Sequence, residues 1–280
     1  MARPFCYSLC GFLVLNAFAF SAGCDDSSPA GNADKAPAGF APDAKGLLIP
    51  AYFYPTWWDA ETNRWDEVVE AAARVPVVAI INPGSGPGTE SNADYTRAVD
   101  EVRQAGGRLI GYVHTSYTAR DSATVLAEVD RYYDWYGVDG IFFDEVTNGA
   151  DADHLAYYRA CFEHVRARDA EALVVLNPGT DTPADYLDVS TQMMIFEKDH
   201  ANNPLTAWSP RSWVGGTEAQ RVSVLSHNVP DEAAMRAALA YADSVNAGWF
   251  YITDDVLPNP WDTLPGYWEA LVDGVRGLNE

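Results

Sequence analysis

The sequence predicts an α/β protein, a (β/α)₈ TIM barrel formed as a single domain by residues 46–280. Eight short apolar runs recur along this region, and stretches with helical spacing of apolar residues separate nearly all of them. The runs are continuous rather than alternating, which is typical of strands buried on both faces of a parallel sheet. The region also has the length of one such barrel. A doubly wound open sheet is the alternative arrangement.

Stretches with helical spacing of apolar residues lie between most of the predicted strands. The helical stretches between them carry apolar stripes, such as Ala98, Val99 and Val102 before the third strand, and Gly106-Gly107 ends that helix. No long helix is evident between residue 213 and the seventh strand. In chain order, the strands are predicted at residues 46–55, 75–84, 108–115, 138–146, 172–179, 189–197, 221–228 and 247–255.

The first 45 residues are predicted to lie outside the barrel. Residues 1–24 resemble a signal peptide, because Arg3 precedes a mostly apolar stretch and small residues precede Cys24. Small residues before a cysteine are also typical of a bacterial lipoprotein signal. We therefore expect an exported protein, either anchored to the cell envelope by a lipid at Cys24 or secreted. Residues 25–45 are rich in Ser, Pro, Ala, Gly and Asp and are predicted to be a flexible linker.

The composition excludes several kinds of partner and site. The chain has 40 acidic and 18 basic residues and a net charge of −22, which argues against a nucleic-acid partner, because such binding needs a basic surface. An acidic surface suits a cationic partner or simply solubility. Of the four cysteines only Cys161 lies beyond residue 45, so we expect neither a disulfide nor a cysteine metal site in the barrel. We expect a monomer.

Polar side chains follow most of the predicted strands, at the end of a barrel where active sites lie. Asn82 and Asn177 each end a strand in the sequence Asn-Pro-Gly, which is either turn chemistry or a pair of residues in a shared site. Asp254 and Asp255 precede a proline-rich loop and are also typical of a turn. The candidates at these strand ends are Tyr52, Tyr54, Asn82, His114, Asp144, Glu145, Asn177, Glu197, His227, Asp254 and Asp255.

Two acidic residues, Asp144 and Glu145, directly follow the fourth apolar run. Strand alternation places Asp144 on the same face as Gly140, toward the barrel axis, and turns Glu145 aside. Glu197 ends a later strand. Carboxylates from two strands at one barrel mouth are what glycoside hydrolysis needs, since one protonates the leaving oxygen and the other attacks the anomeric carbon or activates water. A helix cap or a salt bridge is the structural alternative for Asp144 and Glu145.

Tryptophans in the loops at this end also favour a sugar substrate, because an aromatic face can stack on a sugar ring. Packing within the loops is the alternative for each of them. Trp208 is the tryptophan that we predict to contact substrate, together with Asn177 and Asp254. The tryptophans that follow predicted strands are Trp57, Trp58, Trp208, Trp213 and Trp261.

Four stretches resemble spherulation-specific family 4, the spherulin-4-like proteins grouped with glycoside hydrolase family 135 and related to family 114. They are IPAYFYP (49–55), INPGSGPG (81–88), GYVHTSYTAR (111–120) and YGVDGIFFDEV (136–146). The resemblance implies a (β/α)₈ fold and endo-α-1,4-galactosaminidase activity on galactosamine-containing exopolysaccharide such as galactosaminogalactan. It implies that Asp144, Glu145 and Glu197 are the catalytic acids. It further implies substrate contacts by Tyr52, Asn82, His114, Tyr117 and Arg120.

The leading prediction is therefore an exported glycoside hydrolase that cleaves polymers of α-1,4-linked galactosamine or N-acetylgalactosamine within the chain. We expect a retaining mechanism, with Asp144 as the nucleophile and Glu197 as the acid/base, although the two roles are interchangeable at this stage. A retaining mechanism predicts a separation of about 5–5.5 Å between the carboxyl groups. The acidic protein would suit a partly deacetylated, cationic polysaccharide.

Two other functions fit the same sequence. A non-catalytic cell-envelope protein on a barrel scaffold would bind the polysaccharide without releasing product. A metal-dependent hydrolase would use His114, Asp144, Glu145 and Asp254 as ligands and would be sensitive to chelators. The leading prediction needs neither a metal nor a cofactor.

Overall fold

The structure is a computed structural model that describes residues 41–280. Its eight strands are parallel and form a closed barrel in chain order, in which β8 pairs with β1. The predicted (β/α)₈ barrel is thus confirmed, and the alternative of an open sheet is excluded. The predicted signal at residues 1–24, Cys24 and most of the predicted linker lie outside the described residues. The strands are β1 Gly46–Ala51, β2 Val77–Ile81, β3 Arg108–His114, β4 Gly140–Asp144, β5 Leu173–Leu176, β6 Gln192–Asp199, β7 Val222–His227 and β8 Trp249–Ile252.

Six α-helices surround the barrel within the described residues. Four of them begin after an Asn or Asp whose side chain accepts a hydrogen bond from a backbone N–H of the first turn: Asn92, Asp121, Asp151 and Asp231. Such caps stabilise a helix by about 1 kcal/mol each. The helices are α1 Trp65–Ala72, α2 Ala93–Gln104, α3 Ser122–Tyr136, α4 Ala152–Arg168, α5 Glu232–Ser244 and α6 Trp268–Gly277.

Two connections contain no α-helix in the described structure, and the second agrees with the absence of a long helix predicted before the seventh strand. A 3₁₀ helix, Ala184–Val189, joins β5 to β6. Three short 3₁₀ helices, Leu205–Ala207, Val214–Gly216 and Ala219–Arg221, lie between β6 and β7. Prolines and paired glycines in residues 200–221 explain the second case, because both residue types disfavour a helix interior.

The strands are buried as the continuous apolar runs predict. Every residue of β1 and β2 is buried. The fourth strand ends with Asp144 opposite His114 of β3. Position 140 needs a glycine because of a neighbouring strand and not because the barrel interior is crowded. A Cβ atom there would lie 2.2 Å from the carbonyl oxygen of Leu173. The close approach of β5 therefore requires glycine at this position.

Ordered contacts begin before the first strand. The backbone N–H of Lys45 donates to Asn279, and its ammonium lies 2.8 Å from Asp243. Gln220 donates to the carbonyl of Ala44. The last residues of the predicted linker are therefore fastened to the barrel at the end opposite Asp144. Within residues 41–280 no helix has the length and apolar character needed to cross a membrane.

Candidate active site

The centre of the candidate site is a pair of carboxylates that share one amide donor. Nδ2 of Asn177 lies 2.8 Å from Oδ1 of Asp144 and 2.6 Å from Oε2 of Glu197. A side-chain amide has two N–H bonds, so Asn177 donates one to each carboxylate. The two acceptor oxygens lie no farther apart than the sum of these distances. That limit is below the separation of about 6.5–9.5 Å between the carboxyl groups of inverting glycosidases.

Aromatic side chains hold Asp144 from the other side. The hydroxyl of Tyr112 donates to Oδ2 of Asp144 at 2.9 Å. The Tyr112 ring is stacked on Phe142 and meets the ring of Tyr52 edge-on, with centroids 5.5 Å apart. Burial and the charge of Asp144 raise the pKa of Tyr112, so its hydroxyl stays protonated and always donates. Both oxygens of Asp144 are thus fixed by neutral donors.

Burial raises the pKa of both carboxylates, and more hydrogen bonds oppose the rise at Asp144 than at Glu197. Burial, and then the charge of Asp144, raise the pKa of Glu197 to about 7, while the hydrogen bond from Asn177 acts against this shift. Burial also raises the pKa of Asp144. Hydrogen bonds from the Glu145 backbone, Tyr112 and Asn177 oppose that rise by stabilising the Asp144 carboxylate. Asp144 is therefore suited to be the charged member of the pair and Glu197 the protonated one.

The second acid of the fourth strand end points elsewhere. The side chain of Glu145 is 41% exposed, and its Oε2 lies 3.4 Å from Nδ1 of His114. His114 also lies within 3.2 Å of the Ser116 hydroxyl. Alternation predicted this separation of Asp144 from Glu145. Glu145 and His114 together form a polar rim beside the pair, and no hydrogen bond joins Glu145 to Asn177 or Glu197 within the described residues.

Strained backbone is concentrated at this end of the barrel. Non-glycine residues rarely adopt positive φ, and such strain clusters at functional sites. Three consecutive residues after β3 do so, and the carbonyl of Glu145 accepts the N–H of one of them, Tyr117, at 2.7 Å. The non-glycine residues with positive φ that follow strands are Ser85, Ser116, Tyr117, Thr118, Glu145 and Asn228.

Three residues predicted to contact substrate make hydrogen bonds that stabilise loops. The side-chain carbonyl of Asn82 accepts from the N–H of Gly86, which is the turn role that its sequence allowed. Arg120 makes two hydrogen bonds to Glu128 and one to the carbonyl of His114. Asp254 is exposed and accepts from the N–H of Gly266 in the loop after β8. Their contact with substrate stays a prediction, whereas Asn177 lies in the site itself.

The tryptophans divide between packing and exposure. The indole N–H groups of Trp57 and Trp213 donate to backbone carbonyls, and Trp261 is 9% exposed. Trp208 lines a cavity whose lining includes none of Asp144, Asn177 and Glu197. The described residues include five exposed large hydrophobic side chains, and all belong to loops after strands: Tyr54, Trp58, Tyr117, Val256 and Leu257. These exposed apolar side chains thus lie at the same end of the barrel as the candidate site.

Tyr112 is the site residue that the sequence analysis missed. Its signal was present, because Tyr112 lies two residues before His114 and therefore shares its face of the strand. Residues at the strand ends alone do not include Tyr112, because it lies two residues before the end of β3 and therefore deeper in the barrel. Only the register of β3 against β4, which pairs Tyr112 with Phe142, brings its hydroxyl to Asp144.

Replacing Tyr112 with phenylalanine should lower kcat about tenfold or more, because a hydrogen bond to a charged group contributes about 1.5–3 kcal/mol. Without that donor the pKa of Asp144 rises, so the acid limb of kcat/KM should move to higher pH. A pH–rate profile measures both effects. The matched control is Tyr133→Phe, because the Tyr133 hydroxyl is buried without a partner among the described residues. Identical profiles for the Tyr112 variant and the wild type would contradict the positioning role.

Metal chemistry finds little support in this arrangement. Across residues 41–280, no three His, Cys, Asp or Glu side chains are grouped so that they could hold a metal ion. His114 and Glu145 lie at the rim, and Asp254 is bound to the loop after β8. The four residues of the metal-dependent alternative therefore do not converge.

Known proteins resemble this chain in sequence and in fold. A family model described as spherulation-specific family 4 matches residues 46–275. Spherulin-4 of Physarum polycephalum is 31% identical over 242 residues, which cover 83% of this chain and 70% of that protein. The crystal structure of Aspergillus clavatus Sph3 in complex with GalNAc has a TM-score of 0.72 at 25% identity, over 85% of this chain and 99% of Sph3.

A more distant likeness shows the fold alone. The maltogenic α-amylase AmyB of Thermotoga neapolitana has a TM-score of 0.52 at 8% identity, over 85% of this chain and 76% of AmyB. The family match, by contrast, extends over nearly all of the barrel. It confirms the resemblance carried by the four sequence stretches. The chain belongs to spherulation-specific family 4.

Proposed function

We propose that this protein is an exported, endo-acting and retaining glycoside hydrolase of α-1,4-linked galactosamine or N-acetylgalactosamine polysaccharide. The observation that carries the proposal is the Asp144–Glu197 pair on the Asn177 amide, with the pKa of Glu197 raised to about 7. Retaining glycosidases need two carboxyl groups at close range, one ionised and one protonated. The short distances from Asn177 to both carboxylates support the first condition, and the raised pKa of Glu197 supports the second.

The proposed reaction has two steps. Asp144 attacks the anomeric carbon while Glu197 gives its proton to the departing glycosidic oxygen, which breaks the bond and forms a glycosyl ester on Asp144. Glu197, now ionised, takes a proton from water as that water attacks the anomeric carbon. The ester breaks, Asp144 is released as a carboxylate and Glu197 is protonated again. Asn177 stays hydrogen-bonded to both groups and fixes their spacing.

The substrate class rests on the relatives and on charge. Sph3, a structural relative, was solved in complex with GalNAc, and an amino-sugar polymer is the substrate class that the family resemblance implies. The net charge of −22 suits a polymer that is partly deacetylated and thus cationic. The signal-like N-terminus supports export, with Cys24 as the point of lipid attachment, and we propose that the barrel acts as a monomer.

The pH dependence follows from the two carboxylates. Activity should fall as pH rises through about 7, because Glu197 then loses the proton that the leaving group needs. It should also fall at acid pH, where Asp144 becomes protonated. A profile of kcat/KM against pH measures these limbs in the free enzyme. Undiminished activity well above pH 8 would contradict the assignment of Glu197 as the acid.

The proposal is tested by incubating the protein with galactosaminogalactan and a panel of other polysaccharides, followed by mass spectrometry of the released oligosaccharides. We expect galactosamine-containing products of several lengths, as endo action produces. Release of single sugars alone would contradict endo action. Binding of the polymer without any released product would instead indicate a polysaccharide-binding protein.

A further inference from the structure

A second cavity, of about 390 Å³, lies between the loops that follow β5 and β6. Lys198 alternates with Glu197 along β6 and therefore faces away from the barrel axis. Phe196 and Lys198 thus line the cavity from the face of β6 opposite Glu197, and neither Asp144 nor Glu197 belongs to its lining. Its polar and aromatic lining includes Thr180, Asp181, Lys198, Asn202, Asn203 and Trp208.

The aromatic wall of this cavity is held in place. Nε1 of Trp208 donates to Oδ1 of Asp181 at 3.3 Å, and the Trp208 ring packs on Phe196 with centroids 5.3 Å apart. The hydroxyl of Tyr241 donates to the Trp208 carbonyl. A side chain fixed before binding loses little conformational entropy when a ligand arrives. The cavity is therefore preformed on its aromatic side.

The connection that builds the cavity is unusual for the barrel. Residues 200–221 run from β6 to β7 with three short 3₁₀ helices and no α-helix. Long connections of this kind are uncommon in compact domains and are usually functional. This one supplies Asn202, Asn203 and Trp208 to the cavity. The chain thus replaces a barrel helix with a segment that forms a binding wall.

The lining has the chemistry that recognises a sugar ring. Carboxylate oxygens accept hydrogen bonds from hydroxyls, an ammonium donates them, and side-chain amides do both. The face of Trp208 can pack on the apolar face of a pyranose. Asp181 and Lys198 carry opposite charges, so the lining does not select a simple anion or cation. The volume lies within the range of small-ligand pockets, about 300–1,000 Å³.

Gly179 connects this cavity to the catalytic pair. A Cβ atom at Gly179 would lie 3.5 Å from Cβ of Glu197, and the next residue, Thr180, lines the cavity. Residues 179 and 180 therefore join the catalytic pair to the cavity within one peptide unit. Glu197 is the proposed proton donor to the departing oxygen, so the departing part of the chain lies on this side.

We propose that the cavity is a sugar-binding subsite, which holds a unit of the polysaccharide on the Glu197 side of the point of cleavage. This inference rests on the proposed function and deepens it. Asp181 accepts hydrogen bonds from the hydroxyls of that sugar, and Trp208 packs against its ring. The subsite favours polymers over single sugars.

Binding can be measured apart from hydrolysis in an Asp144→Asn background. Isothermal titration with purified oligosaccharides of galactosaminogalactan should show affinity about tenfold weaker when Asp181→Asn is added, because a charge-assisted hydrogen bond is lost. The matched control is Asp188→Asn, an exposed carboxylate on the neighbouring 3₁₀ helix. In ¹⁵N spectra the indole N–H signal of Trp208, identified by its loss in Trp208→Phe, should shift on adding the oligosaccharides.

The outcomes separate the subsite from the proposed function. The subsite alone would be overturned if the wild type hydrolyses the polymer while the Asp181 variant keeps its affinity and the Trp208 signal does not move. A wild type that neither binds nor cleaves the polymer would overturn both. A Trp208 shift and a weaker Asp181 variant without any hydrolysis by the wild type would support the subsite and overturn the hydrolase.

Discussion

Replacing Asp144 with asparagine should reduce hydrolysis of the polysaccharide by about 10⁴-fold or more, because the nucleophile of a covalent mechanism is lost. The fold should be unaffected. The side-chain oxygen of an asparagine can still accept from Asn177, and its N–H can donate to the hydroxyl oxygen of Tyr112. Burial raises the pKa of Asp144, so ionising it costs folded-state stability, and a neutral side chain should not lower the thermal midpoint at pH 7.

The measurement is the initial rate of oligosaccharide release, with circular dichroism and thermal unfolding of both proteins. Asp100→Asn is the control, because Asp100 is exposed on α2 outside the barrel. We expect the control to keep full activity. An active, folded Asp144 variant would eliminate Asp144 as the nucleophile.

Replacing Glu197 with glutamine should lower hydrolysis of the polysaccharide by about 10²–10⁴-fold, the contribution of a positioned general acid. A nitrophenyl galactosaminide should lose far less in the bond-breaking step, since its leaving group departs without a proton. The loss of activity above pH 7 should disappear from that step, because the group with the raised pKa is gone.

Burst kinetics with the nitrophenyl substrate, taken across pH, separate the bond-breaking step from the attack of water. Glu171→Gln is the matched control, because Glu171 is exposed at the opposite end of the barrel, before β5. An equal loss for polymer and nitrophenyl substrate would argue that Glu197 acts only in holding Asn177. An alkaline limb that persists would assign it to another group.

The barrel could be predicted because its sequence pattern, an apolar run followed by a helical stretch, is repeated along the chain. Each apolar run predicts one buried strand, and closure of eight such strands buries both faces of all of them. The two connections without α-helices could not be placed as well, because 3₁₀ turns have no sequence period of their own. The sequence showed no long helix between residue 213 and the seventh strand, but it did not indicate which structure stands in its place.

The separation of Asp144 from Glu145 was predictable because alternation along a strand is a local rule. The sharing of Asn177 between Asp144 and Glu197 was not, since it depends on β4, β5 and β6 meeting in one register. Asn82 and Asn177 show that a local sequence pattern does not determine the role of a side chain. Both end a strand before Pro-Gly, yet one holds a turn and the other bridges two carboxylates.

The configuration of the first product tests the proposed mechanism most directly. Proton NMR of the reducing ends, recorded as the wild-type protein begins to cleave an α-1,4-linked galactosamine oligosaccharide, shows which anomer forms before mutarotation. The close Asp144–Glu197 pair predicts the α anomer, by two displacements at the same carbon. The β anomer as first product would show inversion and contradict a covalent intermediate on Asp144, and the absence of any new reducing end would contradict hydrolysis itself.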